Sequence, residues 1–442
     1  MTDRSIQVTQ PAAPNPRPPV LPLAGVRVVD FTVAVAGPIA SFVLADLGAE
    51  VIKVEEPARG RIQRGDMPRR EGAADRPWNR MSNFNELNRG KLSLALDVAQ
   101  PEGRDLFLRL AGVSDIVVEN WSPRVVGNLG IDYAQVRHVR EDIIYLSMPA
   151  FGKTGPYADM RSYGPGIDAM SGLSHLTGYI DGPPLKPGNF YCDQNAGLHA
   201  ALAAMSALLH RRLTGEGQYI ELAMLEGEIQ VFGEALLNVA LNGREPARLG
   251  NRHPSIAPHG VYRCAASRQP AADTGAAGGS DEWVTIVAAD DAQWHALCRA
   301  MGQEPLTRDP RFAQPLARYQ HQDELDAIIG AWTATHNKHE VQRLLQAAGV
   351  SAAAALTPEE LFADPHIRDR KLFEFVDHPD SGPFPHTRVA FRLSGTPAPI
   401  RRSGPPFGEG NDHVLRDLLH LTDNDIERLR AGGVIADPPS SG

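Results

Sequence analysis

The stretch VRVVDFTVAVAGPIASFVLADLGAEVIKVE, residues 26–55, decides the fold class. VRVVDF (26–31) is a nearly continuous apolar run of strand length. GPIASFVLADLG (37–48) has the small and apolar residues of a buried helix, with Pro38 in its first turn. EVIKVE (50–55) is a second strand. Two short apolar strands joined through a helix form a βαβ unit, and such strands lie parallel.

The alternation continues outward. PEGRDLFLRLAG (101–112) reads as a helix, and DIVVEN (115–120) and DIIYLSM (142–148) as strands. The expected fold class is α/β with a parallel sheet. Ligands of such sheets sit beyond the carboxyl ends of the strands, which selects the loops beginning at Thr32, Asn120 and Pro149. Two phosphate-binding signatures fail. TVAVAGP follows the first strand in place of G-x-G-x-x-G, and GKT (152–154) has Ser147 where a P-loop needs glycine.

Farther along, residues 195–213 predict a long helix. Leu198, Leu202, Met205 and Leu209 make one apolar stripe, and Ala196, Ala200, Ala203, Ala204 and Ala207 make a small-residue surface. Helices are also expected over 222–242, 291–302, 321–334 and 338–348, with a helical connector over 357–370. NRHPSIAPHGVYRC (251–264) is loop-like, and 265–281 is a low-complexity loop. EWVTIVA (282–288) and VAFRLS (389–394) read as strands, followed by DHVLRDLLH and NDIERLRAGG as helices.

The chain has 442 residues, room for two or three domains at about 100–200 residues each. Its net charge of -9 argues against a nucleic-acid or anionic-membrane binder, which needs a basic face. Three cysteines, Cys192, Cys264 and Cys298, form no C-x-x-C pair and fit a reducing cytosol rather than a disulfide framework. No apolar run approaches the ~18 residues of a membrane span. The proline-rich stretch 1–20 reads as a flexible arm, and 437–442 as a disordered tail. His253, His259 and Cys264 lack the paired spacing of a zinc site, so no metal is expected.

GNFYCDQNAGLHAALAAMSALLHRRLTGEGQ, residues 188–218, poses the chemical question. Asp193 stands where a loop meets the long helix. The residues alone allow an N-cap or a carboxylate nucleophile. Cys192 reads as core packing, because no cationic neighbour activates it.

Here the sequence resembles the class III CoA-transferases, of the formyl-CoA and carnitine CoA-transferase type. The likeness rests on LAGVRVVDFTVAVAGPIASFVLADLGAEVIKVEEP, NRGKLSLALDVAQPEGRDLFLRL, VVENWSPRVVGNLG, the block around DGPPLKPGNFYCDQNAGLHAALAAM, and GPPFGEGNDHVLRDLL. These five blocks run in order from about residue 21 to 435.

The resemblance implies that Asp193 is the catalytic nucleophile. It implies CoA contacts at Val35 and Ala36, at Leu96, Asp97 and Val98, at Asn120, Trp121 and Ser122, at Asn128, and at Arg161, Ser162 and Tyr163. It implies acyl-CoA and a carboxylic acid as substrates and no permanently bound cofactor. The implied fold is an interlocked homodimer, each chain with a Rossmann-like large domain and a smaller α/β domain. The large domain would comprise 21–224 and 376–436, the small one 251–354, with linkers 225–250 and 355–375. An α-methylacyl-CoA racemase-like isomerase shares the fold, but SYGPGIDAMSG carries no histidine near Gly164 where racemases have one. A non-catalytic acyl-CoA-binding protein is the third reading.

Overall fold

The computed structural model describes residues 20–57, 64, 76–266 and 282–436. All but Val20 of the expected arm, most of the low-complexity loop and the tail lie outside the described residues. The chain divides into two compact units. The first holds the residues up to Arg161, Cys192–Gly227 and those from Leu372 onward. The second holds Ser162–Tyr191 and Glu228–Lys371. Residues 162–191 thus group with the second unit, where the division by sequence kept them in the first.

The first unit is built on a six-stranded sheet of β1 (Arg27–Phe31), β2 (Glu50–Glu55), β3 (Lys91–Ala95), β4 (Ile116–Glu119), β5 (Ile144–Ser147) and β6 (Gln218–Glu221). The order is β3-β2-β1-β4-β5-β6, and every pairing is parallel. Strand order therefore reverses between β1 and β4, and the loops after these two strands part there to leave a crevice. Helices α1 (Ala36–Asp46), α2 (Pro101–Gly112) and α3 (Tyr191–Thr214) supply crossover connections. On one face Val29, Val117 and Tyr145 pack against Phe107 and Leu110 of α2 and against Val414 and Leu429 of the returning C-terminal segment.

Helix α3 leads into β6, which runs parallel to β5. It must therefore start at the carboxyl end of the sheet and finish at the amino end. Arg211, near its finish, bonds the Asp115 carboxylate just before β4 at 2.8 Å. Its buried face is the small one, comprising Ala196, Gly197, Ala200, Ala201, Ala204 and Ala207. A Cβ on Gly197 would come within 2.6 Å of the Ile39 Cβ and 2.8 Å of the Ala36 carbonyl oxygen, so α3 lies backbone-close on the first turns of α1. Leu198, Leu202 and Leu209 are 58–60% exposed.

The second unit carries the antiparallel sheet β7 (His259–Arg263), β8 (Trp283–Val287) and β9 (Ser351–Ala354), with β8 central. Trp294, Leu297, Ile329, Val341 and Leu345 cover it from α4 (Asp291–Ala300), α5 (Gln322–Thr333) and α6 (Lys338–Ala347). The end of the expected 251–264 loop is in fact β7, because HGVYR finds a partner in β8.

Back in the first unit, 389–394 is not a strand. VAFRLS alternates as a strand does, but among the described residues it pairs with no strand, and Phe391 is 47% exposed. The ribbon lies just before it, as β10 (Phe373–His378) against β11 (Gly382–Thr387). Pro383 and Pro385 are tolerated there because a two-stranded ribbon leaves each strand an unpaired edge.

Candidate active site

Strand β1 ends in Asp30 and Phe31, and the chain turns through Thr32, Val33, Ala34 and Val35 into α1. Next to it β4 ends in Glu119, and Asn120 and Trp121 follow. The two loops are bonded to each other. Val33 N–H donates to Asn120 Oδ1 at 2.8 Å, and Asn120 Nδ2 donates back to the Val33 carbonyl at 2.9 Å. The Trp121 indole N–H donates to the Phe31 carbonyl at 2.8 Å, with its ring centroid 5.5 Å from that of Phe31. Val35, Ala36, Asn120 and Trp121 are therefore gathered at the crevice where strand order reverses.

Asp193 lies at the same end of the sheet. The helix begins at Tyr191, four residues earlier than the spacing predicts, so Asp193 is inside the first turn and is not the N-cap. Residues four apart share a helix face. Asp193 thus shares a face with Gly197, whose position is pressed against Ala36 and Ile39. Asp193 is buried, 8% exposed, and Cys192 Sγ donates to its Oδ2 at 3.5 Å. Beside it, Gln194 lines a cleft of about 520 Å³ with Phe42, Asn83, Glu86, Phe384 and Thr387.

Beneath the turn after β1 lies a buried ionic cluster that sequence reading missed. Asp30 accepts from Thr32 N at 2.9 Å, Thr32 Oγ1 at 2.5 Å and Ser41 Oγ at 2.6 Å. Lys91 Nζ reaches Asp30 Oδ2 at 2.9 Å, and Lys53 Nζ lies 3.9 Å from Oδ1. Burial opposes the charge on Asp30, but Lys53, Lys91 and the two hydroxyls outweigh it and hold the carboxyl well below the ordinary range. Burial brings the Lys91 ammonium down to about 7, only partly offset by Asp30, and Lys53 adds to the fall. The signal was a charged residue in each of three apolar strand runs, a pattern only mutual pairing makes tolerable. Glu119 is similarly buried, and desolvation pushes its carboxyl up against the bonds from Ser147 Oγ and Trp121 N.

The remaining expected contacts are spread out. Leu96 and Val98 are buried past the end of β3, two strands from β1, where Leu96 bridges to Ile435. Asp97 turns its carboxylate onto Ala99 N and Gln100 Nε2, both at 3.0 Å, leading the chain into α2. Ser122 and Asn128 are exposed on or beside the short helix Pro123–Leu129. Arg161 ends one stretch of the first unit, and Ser162 and Tyr163 open the second, with Tyr163 84% exposed.

The molecule is thus an α/β protein with a parallel sheet and a buried carboxylate at that sheet's carboxyl end. The chain belongs to CoA-transferase family III, whose sequence profile residues 23–411 match. It is 36% identical over 419 residues to a succinyl-CoA–D-citramalate CoA-transferase of Chloroflexus aurantiacus, covering 95% of this chain and 99% of that one. It is 34% identical to a succinate–glutarate CoA-transferase of Agrobacterium fabrum, covering 92% and 97%. The crystal structure of a CAIB/BAIF family protein from Brucella suis superposes with a TM-score of 0.78 at 31% identity, covering 90% of this chain and 99% of that one. Among the described residues, no helix is long and apolar enough to cross a membrane.

Proposed function

We propose that this chain moves CoA from an acyl-CoA donor to a carboxylic acid, with Asp193 as nucleophile. The Asp193 carboxylate attacks the thioester carbonyl, the C–S bond breaks, and a mixed anhydride and CoA thiolate result. The thiolate attacks the aspartyl carbonyl, releasing the donor's acid and leaving an aspartyl-CoA thioester. The acceptor carboxylate then attacks that thioester. A second anhydride forms, and the returning thiolate takes the acceptor acyl group and frees Asp193. Each step exchanges one activated acyl group for another, so neither ATP nor a resident cofactor is required.

One observation carries the reading. Asp193 is buried in the first turn of α3, on the face pressed against the start of α1, at the carboxyl end of the sheet. An anhydride must be kept from water, which favours a buried acid. The side chain of Val35 does not cap α1, Pro38 has no N–H and Ile39 N–H is spent on the Val35 carbonyl, so the Ala36 and Gly37 N–H groups are the ones suited to a developing oxyanion. CoA would lie along Val35, Ala36, Trp121 and Ser122, with Leu96, Asp97, Val98, Asn128, Arg161, Ser162 and Tyr163 as outlying contacts. The cleft beside Gln194 would take the acyl group. The names of the relatives make succinyl-CoA and short dicarboxylic acids the first pair to try.

The large unit is read as Rossmann-like and the assembly as an interlocked homodimer. The first reading is supported by the all-parallel order β3-β2-β1-β4-β5-β6 with its reversal between β1 and β4, and the second by the exposed stripe of Leu198, Leu202, Leu209 and Leu213 on α3, an apolar surface that a second copy would cover.

The test incubates acyl-CoA donors with candidate acids and follows the CoA products by mass spectrometry. A new acyl-CoA should form only when both substrates are present, with a CoA adduct trapped on the peptide containing Asp193. Rapid deuteration at the α-carbon of an acyl-CoA without any acceptor would overturn the proposal in favour of isomerisation.

A further inference from the structure

The turn between β1 and α1 is held from outside itself. Thr32 N–H donates to Asp30, and the Thr32 carbonyl accepts from Lys53 Nζ at 2.9 Å. Val33 N–H and carbonyl are both bonded to the Asn120 carboxamide. Four consecutive backbone polar groups are thus fixed by side chains from β1, β2 and the loop after β4. The next residue, Ala34, has φ +60, a conformation that a residue with a Cβ adopts only when its surroundings impose it. Gly37 completes the lock, because a Cβ there would lie 2.4 Å from the Thr32 Cβ and 3.1 Å from the Asn120 Cγ. Residues Val35 and Ala36 follow directly.

We infer that Asn120, Lys53 and Asp30 are positioning residues that pre-form the 32–36 turn as the seat for the CoA thioester. This rests on the reading that CoA binds at this crevice. It changes the part given to Asn120. Each heavy atom of its carboxamide is engaged by Val33, so the part assigned to the Asn120 side chain is to act on the ligand through the turn. Without these bonds Ala34 relaxes out of the left-handed region, and the ligand must restore the turn on binding. That cost falls on CoA affinity, whereas the chemical step at Asp193 proceeds once the complex has formed.

The experiment compares the full-length protein with Asn120→Asp, Lys53→Met and the double variant. Asn120→Asp keeps size and the acceptor for Val33 N–H but removes the donor to its carbonyl. Free CoA binding is measured by calorimetry, and steady-state kinetics with each substrate varied. Each single change should raise the Kd for CoA and the KM for acyl-CoA about tenfold, lower kcat less than about threefold and leave the KM for the acid unchanged. The double variant should fall short of the product of the two effects, because both hold the same turn. Should Lys53→Met fail to fold, the near-isosteric Asn120→Asp decides alone. Unchanged Kd and KM with a reduced active fraction would overturn the inference, because that is the signature of packing only. A wild-type protein that binds no CoA would overturn the underlying reading and this inference with it, before any variant is made.

Discussion

The two ends of the six-stranded sheet both carry charge, in different surroundings. At the amino end, Arg140 and Arg211 close on Asp115 and Asp142, with side chains 15–41% exposed. Toward the carboxyl end, Asp30, Lys53 and Lys91 meet with side chains at most 6% exposed. Water screens the first group, so each pair adds little stability. The second group is desolvated, so removing one member strands the others. The costly cluster lies under the turn that leads into α1, against which α3 packs at Gly197, and the inexpensive one lies where the strands merely begin. Charge at one end is screened and cheap to remove, and charge at the other end is desolvated and costly to remove.

Removing the chemistry gives the largest effect. Asp193→Ala should lower CoA transfer about a thousandfold or more while CoA still binds, because the proposed mechanism loses its nucleophile and the crevice remains. Turnover with calorimetric CoA binding checks both halves. Near-normal turnover would mean that the carboxyl end of the sheet is not the reactive end, and the contrast would collapse.

Next comes the buried cluster. Asp30→Ala leaves Lys53 and Lys91 facing each other without their carboxylate, and should cost about 3–5 kcal/mol. Arg140→Gln at the amino end should cost less than about 1 kcal/mol. Denaturant unfolding of the two variants side by side sharpens the comparison, and equal losses would erase it.

A smaller effect is expected where the helix that carries Asp193 is seated. In Gly197→Ala the new methyl meets Ile39 and the Ala36 carbonyl below van der Waals distance. Overpacking of this kind costs about 1–3 kcal/mol, partly offset by the better helix propensity of alanine. The decisive readout is kcat, which should fall more than thermal stability because lifting α3 moves Asp193. A fall in stability alone would mean that the contact only packs.

The α/β class and the parallel strands that put the loops at Thr32, Asn120 and Pro149 beyond their carboxyl ends were legible in the sequence, because apolar periodicity and turn residues are local signals; the residues around Asp193 left an N-cap and a nucleophile both open, and only the resemblance singled out the nucleophile. Strand β3 was not picked out, although KLSLA alternates and follows an Asn-Arg-Gly turn; β6, four residues long, is too short for a pattern. Periodicity found the stripe of leucines on α3 but not which face is buried. The small face wins because Gly197 lets the helix approach α1 more closely than any leucine could. The Asp30–Lys53–Lys91 cluster was hidden because its members lie on three strands, and only the register Asp30↔Lys53 brings two of them level. The double bond of Asn120 to Val33 spans 87 residues of chain and has no local signature.

The smallest effect belongs to the amino end and depends on pH. His413 Nε2 meets Glu50 Oε1 at 2.8 Å and its Nδ1 meets Asp417 Oδ2 at 3.0 Å. Burial would lower the imidazole pKa, but the bonds to Glu50 and Asp417 outweigh it and raise it above 6.5. Burial would raise the Glu50 carboxyl, but Arg27 and His413 hold it below 4.5. A raised histidine stabilises the fold fully below its unfolded pKa, and that contribution is lost as pH climbs through the folded value. A lowered glutamate stabilises above its unfolded pKa and loses that contribution as pH falls through the folded value. Both act together between roughly pH 4.5 and 6.5. His413→Gln should therefore cost less than about 1 kcal/mol, most at about pH 5–6 and little at pH 8, and added salt should shrink the difference. Urea midpoints for wild type and variant across that range measure it. CoA transfer at pH 8 should be unchanged, since the pair lies at the far end of the sheet from Asp193. A variant with lowered transfer and unaltered stability would put catalytic influence at the end where charge is screened.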